Sequence, residues 1–188
     1  MGTPASRLGQ TWDEFVGLPD EDRRELLDGM LVEVDVPTKI HEHIVILLAF
    51  YLHGWARVRR AGLVLGSGYK VKISPTRGVM PDVQFYRRDN PFPRGEQGLE
   101  AGHPDLVVEV ISPTSGPYDR VKKLGYYAEI GVPEYWIIDP AEQTLQRFVL
   151  ERGRYTVAEA LAGDEVFTPD SFEGLEIPLT ELWNPEGE

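Results

Sequence analysis

The run Leu106-Val107-Val108-Glu109-Val110-Ile111 constrains this chain more than any other segment. Six residues rich in branched aliphatic side chains, with almost no polar alternation, describe a strand buried on both faces, as at the centre of an α/β sheet. One carboxylate, Glu109, interrupts it. An unpaired carboxylate in such surroundings costs several kcal/mol or takes up a proton, so Glu109 calls for a cation, a hydrogen-bond donor or a metal. A strand-end glutamate paired with an arginine would meet the same need without any chemistry.

The flanking segments complete the fold class. Val121, Leu124, Tyr127 and Ala128 have helical spacing within Asp119 to Ile130, Gly131 closes that helix, and Glu134 to Ile138 is a second apolar strand. A strand, helix, strand unit of this length favours a right-handed parallel crossover. After the turn Asp139-Pro140, strands are predicted near Thr144 to Leu150 and Arg154 to Ala160. Upstream, Ile44, Leu47, Leu48, Tyr51, Leu52 and Trp55 recur every three or four residues and predict a long amphipathic helix from about Lys39 to Arg60.

Leu63 to Leu65, Tyr69 to Ile73 and Val83 to Tyr86 read as strands of a meander or bent hairpin, and residues 87–103 as a long loop rich in Gly and Pro. At the start, Thr11-Trp-Asp-Glu14 is a capping box that opens a short helix. Leu18-Pro19-Asp20 predicts a second helix running to Gly29, and Leu31 to Val36 a strand ended by Pro37. The 188 residues, without repeats, fit one domain of α/β class with a central mixed sheet flanked by helices.

Composition removes several function classes. With no cysteine, thiolate catalysis, disulfides and cysteine-ligated zinc are excluded. No apolar stretch approaches the ~20 residues of a membrane-spanning helix, and Met1 to Gln10 lacks the pattern of a secretory leader, so a cytoplasmic location is expected. The net charge of −12 argues against a general nucleic-acid coat protein. Charge is nevertheless uneven: residues 57–94 hold nine basic side chains, Lys70 and Lys72 among them, against Asp82 and Asp89. Either this segment makes a positive face that steers a polyanion, or its charges are solvated strand edges.

Three residues suggest a reaction. Asp82 opens the run Val83-Gln84-Phe85-Tyr86, on the strand face opposite Val83 and Phe85, 27 positions before Glu109. If the two strands are neighbours, ~4.8 Å apart, the two carboxylates can share a hard cation such as magnesium, with carbonyls and waters completing its shell. Lys122 and Lys123 lie on the following helix, where adjacent residues point about 100° apart and only one can face the strand ends. Two carboxylates and an ammonium are the parts that metal-dependent phosphodiester hydrolysis requires.

Four runs of the chain resemble a known family. They are Leu27-Asp28-Gly29-Met30-Leu31-Val32-Glu33, Pro81-Asp82-Val83, Pro104-Asp105-Leu106-Val107-Val108-Glu109-Val110-Ile111-Ser112-Pro113-Thr114-Ser115, and the segment from Lys123 to Asp139. Together they resemble the Uma-two family, a bacterial branch of the restriction-endonuclease-like PD-(D/E)XK nucleases, over about residues 11–183. The resemblance implies a restriction-endonuclease-like core, with Asp82 and Glu109 as the metal carboxylates, the Val110 carbonyl as a further ligand, and Mg (or Mn) as the cofactor. The superfamily lysine stands two residues after the second acid, where this chain has Ile111; the Uma-two pattern carries it on the next helix, at Lys123.

The resemblance also draws attention to His41 before the long helix, Ser112 in the turn after Glu109, and Asp119 at the next helix start, although capping alone would explain the last. With Lys70 and Lys72 these are the candidate substrate contacts. Glu25 and Glu42 are weaker candidates for an extra helical carboxylate, and Tyr126, Tyr127, Tyr135 and Trp136 are expected in the core. The expected activity is Mg-dependent endonucleolytic cleavage of DNA, with RNA as the other polymer and a homodimer as a possible assembly. Two other classes compete: an inactive module of the same fold that serves assembly, and a metal-dependent hydrolase of a smaller phosphorylated substrate. Convergence of Asp82, Glu109 and Lys123 separates the first from a nuclease, and cavity shape separates the second.

Overall fold

The computed structural model describes residues 9–186, apart from Asp20, Pro93, residues 113–116 and the side chains of residues 117–120. In chain order the elements are α1 (Trp12–Val16), β1 (Arg24–Leu27), β2 (Met30–Glu33), α2 (Lys39–Arg59), β3 (Gly62–Gly66), β4 (Lys70–Ser74), β5 (Arg77–Val79) and β6 (Val83–Arg87). Then follow β7 (Gly98–Leu99), β8 (Leu106–Val110), α3 (Pro117–Ile130), β9 (Glu134–Asp139), β10 (Thr144–Glu151), β11 (Arg154–Ala162), β12 (Val166–Phe167), β13 (Ile177–Pro178) and α4 (Leu179–Trp183).

A six-stranded sheet of order β11-β10-β9-β8-β6-β3 forms the centre, and β8 pairs in parallel with β9 and antiparallel with β6. Every residue of β8 is buried, Glu109 included, as its nearly continuous apolar sequence leads one to expect. Strand alternation then divides the molecule into two main cores. Leu106, Val108 and Val110 face α2, whose Ile44, Leu48 and Leu52 are fully enclosed, each contributing roughly 1.5–3 kcal/mol. Val107 faces the opposite way, into a core made by Tyr126 and Tyr127 of α3, Tyr135 and Ile137 of β9, and Val71, Ile73 and Val79 of a second sheet.

That second sheet, of order β2-β1-β5-β4-β7, departs from the expected order of elements. Instead of a helix running to Gly29, residues 24–33 form an antiparallel hairpin in which Leu27 pairs with Met30 across the two-residue turn Asp28-Gly29. Both turn residues have positive φ, 50° and 80°, the geometry that Asp-Gly favours between right-twisted strands. The short apolar pair Leu26-Leu27, which falls within the helix expected to run to Gly29, lies on the strand that leads into it. The expected meander also divides: β3 returns to pair with β6 in the central sheet, whereas β4 pairs with β5 in the second.

The second sheet rests on α1 through a close approach at Gly78, where an added Cβ would come within 2.8 Å of the Phe15 and Trp12 rings. At the far end of the central sheet, buried Arg147 on β10 donates to Glu134 on β9 at 2.8 Å, to Glu159 on β11 at 2.8 Å and to Asp170 at 2.5 Å. This one guanidinium ties two strands and the connection after β12 to a third strand. Arg147→Ala leaves Glu134 buried without its cation, and urea unfolding is expected to show a loss of about 3–5 kcal/mol.

Candidate active site

Glu109 points from β8 toward α3, on the same side of the sheet as Val107. Its carboxylate is met by two groups from that helix. Lys123 Nζ donates to Oε1 at 3.1 Å and to Oε2 at 3.0 Å, and the Tyr127 hydroxyl donates to Oε1 at 2.5 Å. Lys123 and Tyr127 are four residues apart and therefore stacked on one helix face, so a single stripe of α3 supplies both donors.

A second carboxylate arrives from the other sheet. Glu25 on β1 sits 3.2 Å from Lys123 Nζ through Oε1, and the same oxygen accepts the Met80 backbone N–H at 2.9 Å. Asp82 supplies the third. The β6–β8 register pairs Val83 with Val108, and one further step brings position 82 beside position 109. There the Val110 N–H donates to Asp82 Oδ2 at 2.8 Å, and His41 Nε2 lies 3.4 Å from the same oxygen. Because N–H and C=O of one strand residue point to one side, the Val110 carbonyl faces the Asp82 edge as well.

The electrostatics follow from three carboxylates gathered around one ammonium. Burial pushes the Glu109 carboxyl up, to about 7; Lys123 opposes the shift and the charges of Asp82 and Glu25 add to it. Burial would favour neutral Lys123, yet Glu109, Glu25 and Asp82 outweigh it and hold the ammonium well above its usual range. The Lys123 amine therefore acts as a fixed positive charge and not as a base. For His41 the same contest applies: burial lowers its pKa, and the hydrogen bond and charge of Asp82 raise it more. Its Nδ1 is buried and has no hydrogen-bond partner among the described residues.

These groups line a cavity of about 330 Å³ together with Ser112, Lys122, Tyr126 and the segment from Val32 to Asp35. Seven acidic side chains line it against three basic ones, Arg23, Lys122 and Lys123. The donor set is one of hard oxygens, Asp82, Glu109, Glu25 and the Val110 carbonyl, and its negative charge exceeds the single central ammonium, which is the condition a divalent cation relieves. Among the described residues, no three His, Asp or Glu side chains are clustered tightly enough to hold an ion as they stand. Lys123 occupies the position between the carboxylates.

Of the residues singled out in the sequence, the structure brings together Asp82, Glu109, Val110, Lys123, His41 and Ser112. The Asp119 side chain lies outside the described residues. Two candidates belong elsewhere. Lys70 is buried and donates to the backbone carbonyls of Val16 and Leu18, and Lys72 lies over the Trp12 ring with Glu100 at 3.6 Å, so both fasten α1 to the second sheet. None of the nine basic residues of segment 57–94 lines the cavity. Arg77 pairs with Glu129, Arg87 reaches the Ser171 carbonyl, and Arg94 covers the Tyr86 ring. Most of the segment's basic residues are thus engaged with the scaffold, and it makes no positive wall of this cavity.

Sequence reasoning passed over the Tyr127 hydroxyl and expected Glu25 on a helix. Tyr127 is in the core as expected, but its hydroxyl reaches Glu109; the four-residue spacing from Lys123 was the available signal. Glu25 stands on a strand and not on a helix, and the Asp28-Gly29 turn three residues later was the clue to it.

The sequence profile of the Uma2 family, described as "Putative restriction endonuclease", matches residues 12–180. No match is found among curated proteins. The fold is similar to the crystal structure of a "putative nuclease belonging to DUF820" from Anabaena variabilis, with a TM-score of 0.75 and 20% identity, over 92% of this chain and 97% of that one.

A carboxyl raised in the folded state stabilises the fold below its unfolded value of 4.5 and loses that contribution as pH climbs through about 7. Glu109→Gln, which imitates the protonated form, is therefore expected to match the parent in stability near pH 4.5 and to exceed it above pH 7. Urea unfolding at a series of pH values reads the difference; a gap that stays constant with pH would show that ionising Glu109 costs the fold nothing.

Proposed function

The chain belongs to the Uma2 family, and from that premise we propose that it is a divalent-metal-dependent nuclease that hydrolyses phosphodiester bonds of DNA. The observation that supports this most is the Lys123 ammonium, 3.0 Å from Glu109 and 3.2 Å from Glu25, at the floor of a cavity that also receives Asp82. An assembly module would have no use for an uncompensated, partly buried cluster of carboxylates, which costs stability. A site for a divalent cation would.

Asp82, Glu109 and the Val110 carbonyl are the groups that would hold a magnesium or manganese ion. Such an ion, when bound, supplies Lewis-acid polarisation of the phosphodiester and neutralises the surplus carboxylate charge. The chain's own residues do the rest. Lys123, kept protonated by its neighbours, presents donors to the negative charge that builds on the phosphoryl oxygens. Tyr127 and Glu25 hold Glu109 and Lys123 in their relative orientation. The Val110 N–H and His41 orient Asp82. In the net reaction water adds its oxygen to phosphorus, the bond to one ester oxygen breaks, and the water's proton passes to the departing alkoxide.

A plasmid relaxation assay with magnesium or manganese tests the assignment. Activity is expected to disappear with EDTA and to fall by about 10²-fold or more in each of Asp82→Asn, Glu109→Gln and Lys123→Ala. Cleavage that persists at the parent's rate in all three variants would place the chemistry elsewhere.

A further inference from the structure

Helix α2 buries one face against the central sheet and leaves the other bare. Ile46, Phe50 and Val58, all on this helix, are 64%, 70% and 80% exposed. Ile46, Phe50 and Gly54 follow one another every four residues and share a stripe, which Val58 continues along the helix edge. Apolar side chains scattered singly over a surface need no explanation, whereas several on one exposed helix face mark a contact surface.

Gly54 gives the stripe its shape. Glycine weakens a helix interior relative to alanine, so its use there calls for a reason. Within the chain there is none: a Cβ added at Gly54 would meet no atom within 4 Å, whereas at Gly62 and Gly78 it would come within 2.0 and 2.8 Å of a neighbour. Beside Gly54 lies a hollow of about 310 Å³, bordered by Phe50, Trp55 and Gly174 to Glu176. A glycine that its own chain does not crowd leaves room for a side chain from outside.

The charges at the two ends of the stripe identify the occupant. Glu42 stands eight residues before Phe50, Arg57 and Arg60 stand seven and ten residues after it, and all three are exposed. Two copies of α2 laid antiparallel and crossing at Phe50 set Glu42 of each level with Arg57 and Arg60 of the other, about 10–15 Å from the crossing point, and a two-fold axis makes the contact twice. With about 100° between successive residues, Ile46 of one copy then falls into the hole bounded by Phe50, His53, Gly54 and Arg57 of the other, which the missing side chain at position 54 deepens. A parallel pair would instead bring Glu42 against Glu42 and arginine against arginine.

We propose that this face of α2 is an interface between two copies of the chain, crossing antiparallel at Phe50. The assembly goes beyond the nuclease reading and does not depend on it. Glu42 also lines the cavity of the candidate site, so the dimer brings Arg57 and Arg60 of the second copy to a rim where acidic side chains outnumber basic ones.

Sedimentation velocity of the full chain, over about a hundredfold range of concentration, reads the assembly without metal or substrate. A dimer that dissociates on dilution is expected. Phe50→Asp and Gly54→Leu should each raise its dissociation constant about tenfold or more. Because position 54 is open in the single chain, Gly54→Leu should unfold cooperatively and at no lower temperature than the parent when both are dilute enough to be monomeric, which separates loss of the dimer from loss of the fold. Glu42→Arg should weaken the dimer, and Arg57→Glu with Arg60→Glu in the same chain should restore it. A monomer at every concentration would overturn the inference and leave the face to a partner of another kind. A dimer indifferent to Phe50→Asp and Gly54→Leu would overturn it as well, and a triple variant that dimerises no better than Glu42→Arg would overturn the antiparallel crossing. None of these outcomes bears on DNA cleavage, so the nuclease reading stands or falls separately.

Discussion

The structure depends on a carboxylate placed where a carboxylate is costly. Glu109 sits one residue from the end of a fully buried strand, among aliphatic neighbours, and the fold accommodates it by bringing one face of α3 down on it. That single contact has wide consequences. Lys123 can reach Glu109 only if α3 lies across the sheet, and α3 in that position needs Tyr126 and Tyr127 buried against the second sheet. The second sheet then delivers Glu25 to the same ammonium. One electrostatic requirement therefore couples the central strand, the helix after it and a hairpin from near the start of the chain.

The same arrangement explains why the region is more than a satisfied ion pair. Arg147 also draws three carboxylates, Glu134, Glu159 and Asp170, around one cation, but it leaves the outer two open to water, which screens the surplus. Around Lys123 the carboxylates are enclosed and the surplus charge stays, which is why the carboxyl of Glu109 is shifted upward and not downward. Stability is given up locally, and the usual reason for such a cost is chemistry. Meanwhile most of the basic residues that might have served a polyanion are spent on the scaffold: Lys70 and Lys72 hold α1, and Arg77 joins β5 to α3.

Legibility in the sequence followed the strength of each local signal. Long or continuous patterns were read correctly: α2 over Lys39–Arg59, the buried strands β8 and β9, and the helix between them, each backed by many apolar residues in one period. The short strand β1 was not. β1 has four residues, two of them apolar, too few to separate a strand period from a helical one, and only the Asp28-Gly29 turn carried contrary information. Lys70 in a run of alternating residues looks like a solvated edge until Val16 and Leu18 are seen to present their carbonyls to it.

By itself the sequence determined the class of fold through periodicity, the family through its four motif runs, and the candidates Asp82, Glu109 and Lys123 through charged residues in otherwise apolar or patterned segments. It left open whether Lys123 reaches Glu109, that the Tyr127 hydroxyl joins them, that Glu25 arrives on a strand, and that the basic segment does not line the cavity. Those outcomes belong to the tertiary structure, for a physical reason. Whether two side chains meet depends on how separate elements are packed, here on α3 lying where one amine reaches both Glu109 of the central sheet and Glu25 of the second, and no spacing along the chain encodes the distance between residues 25 and 123.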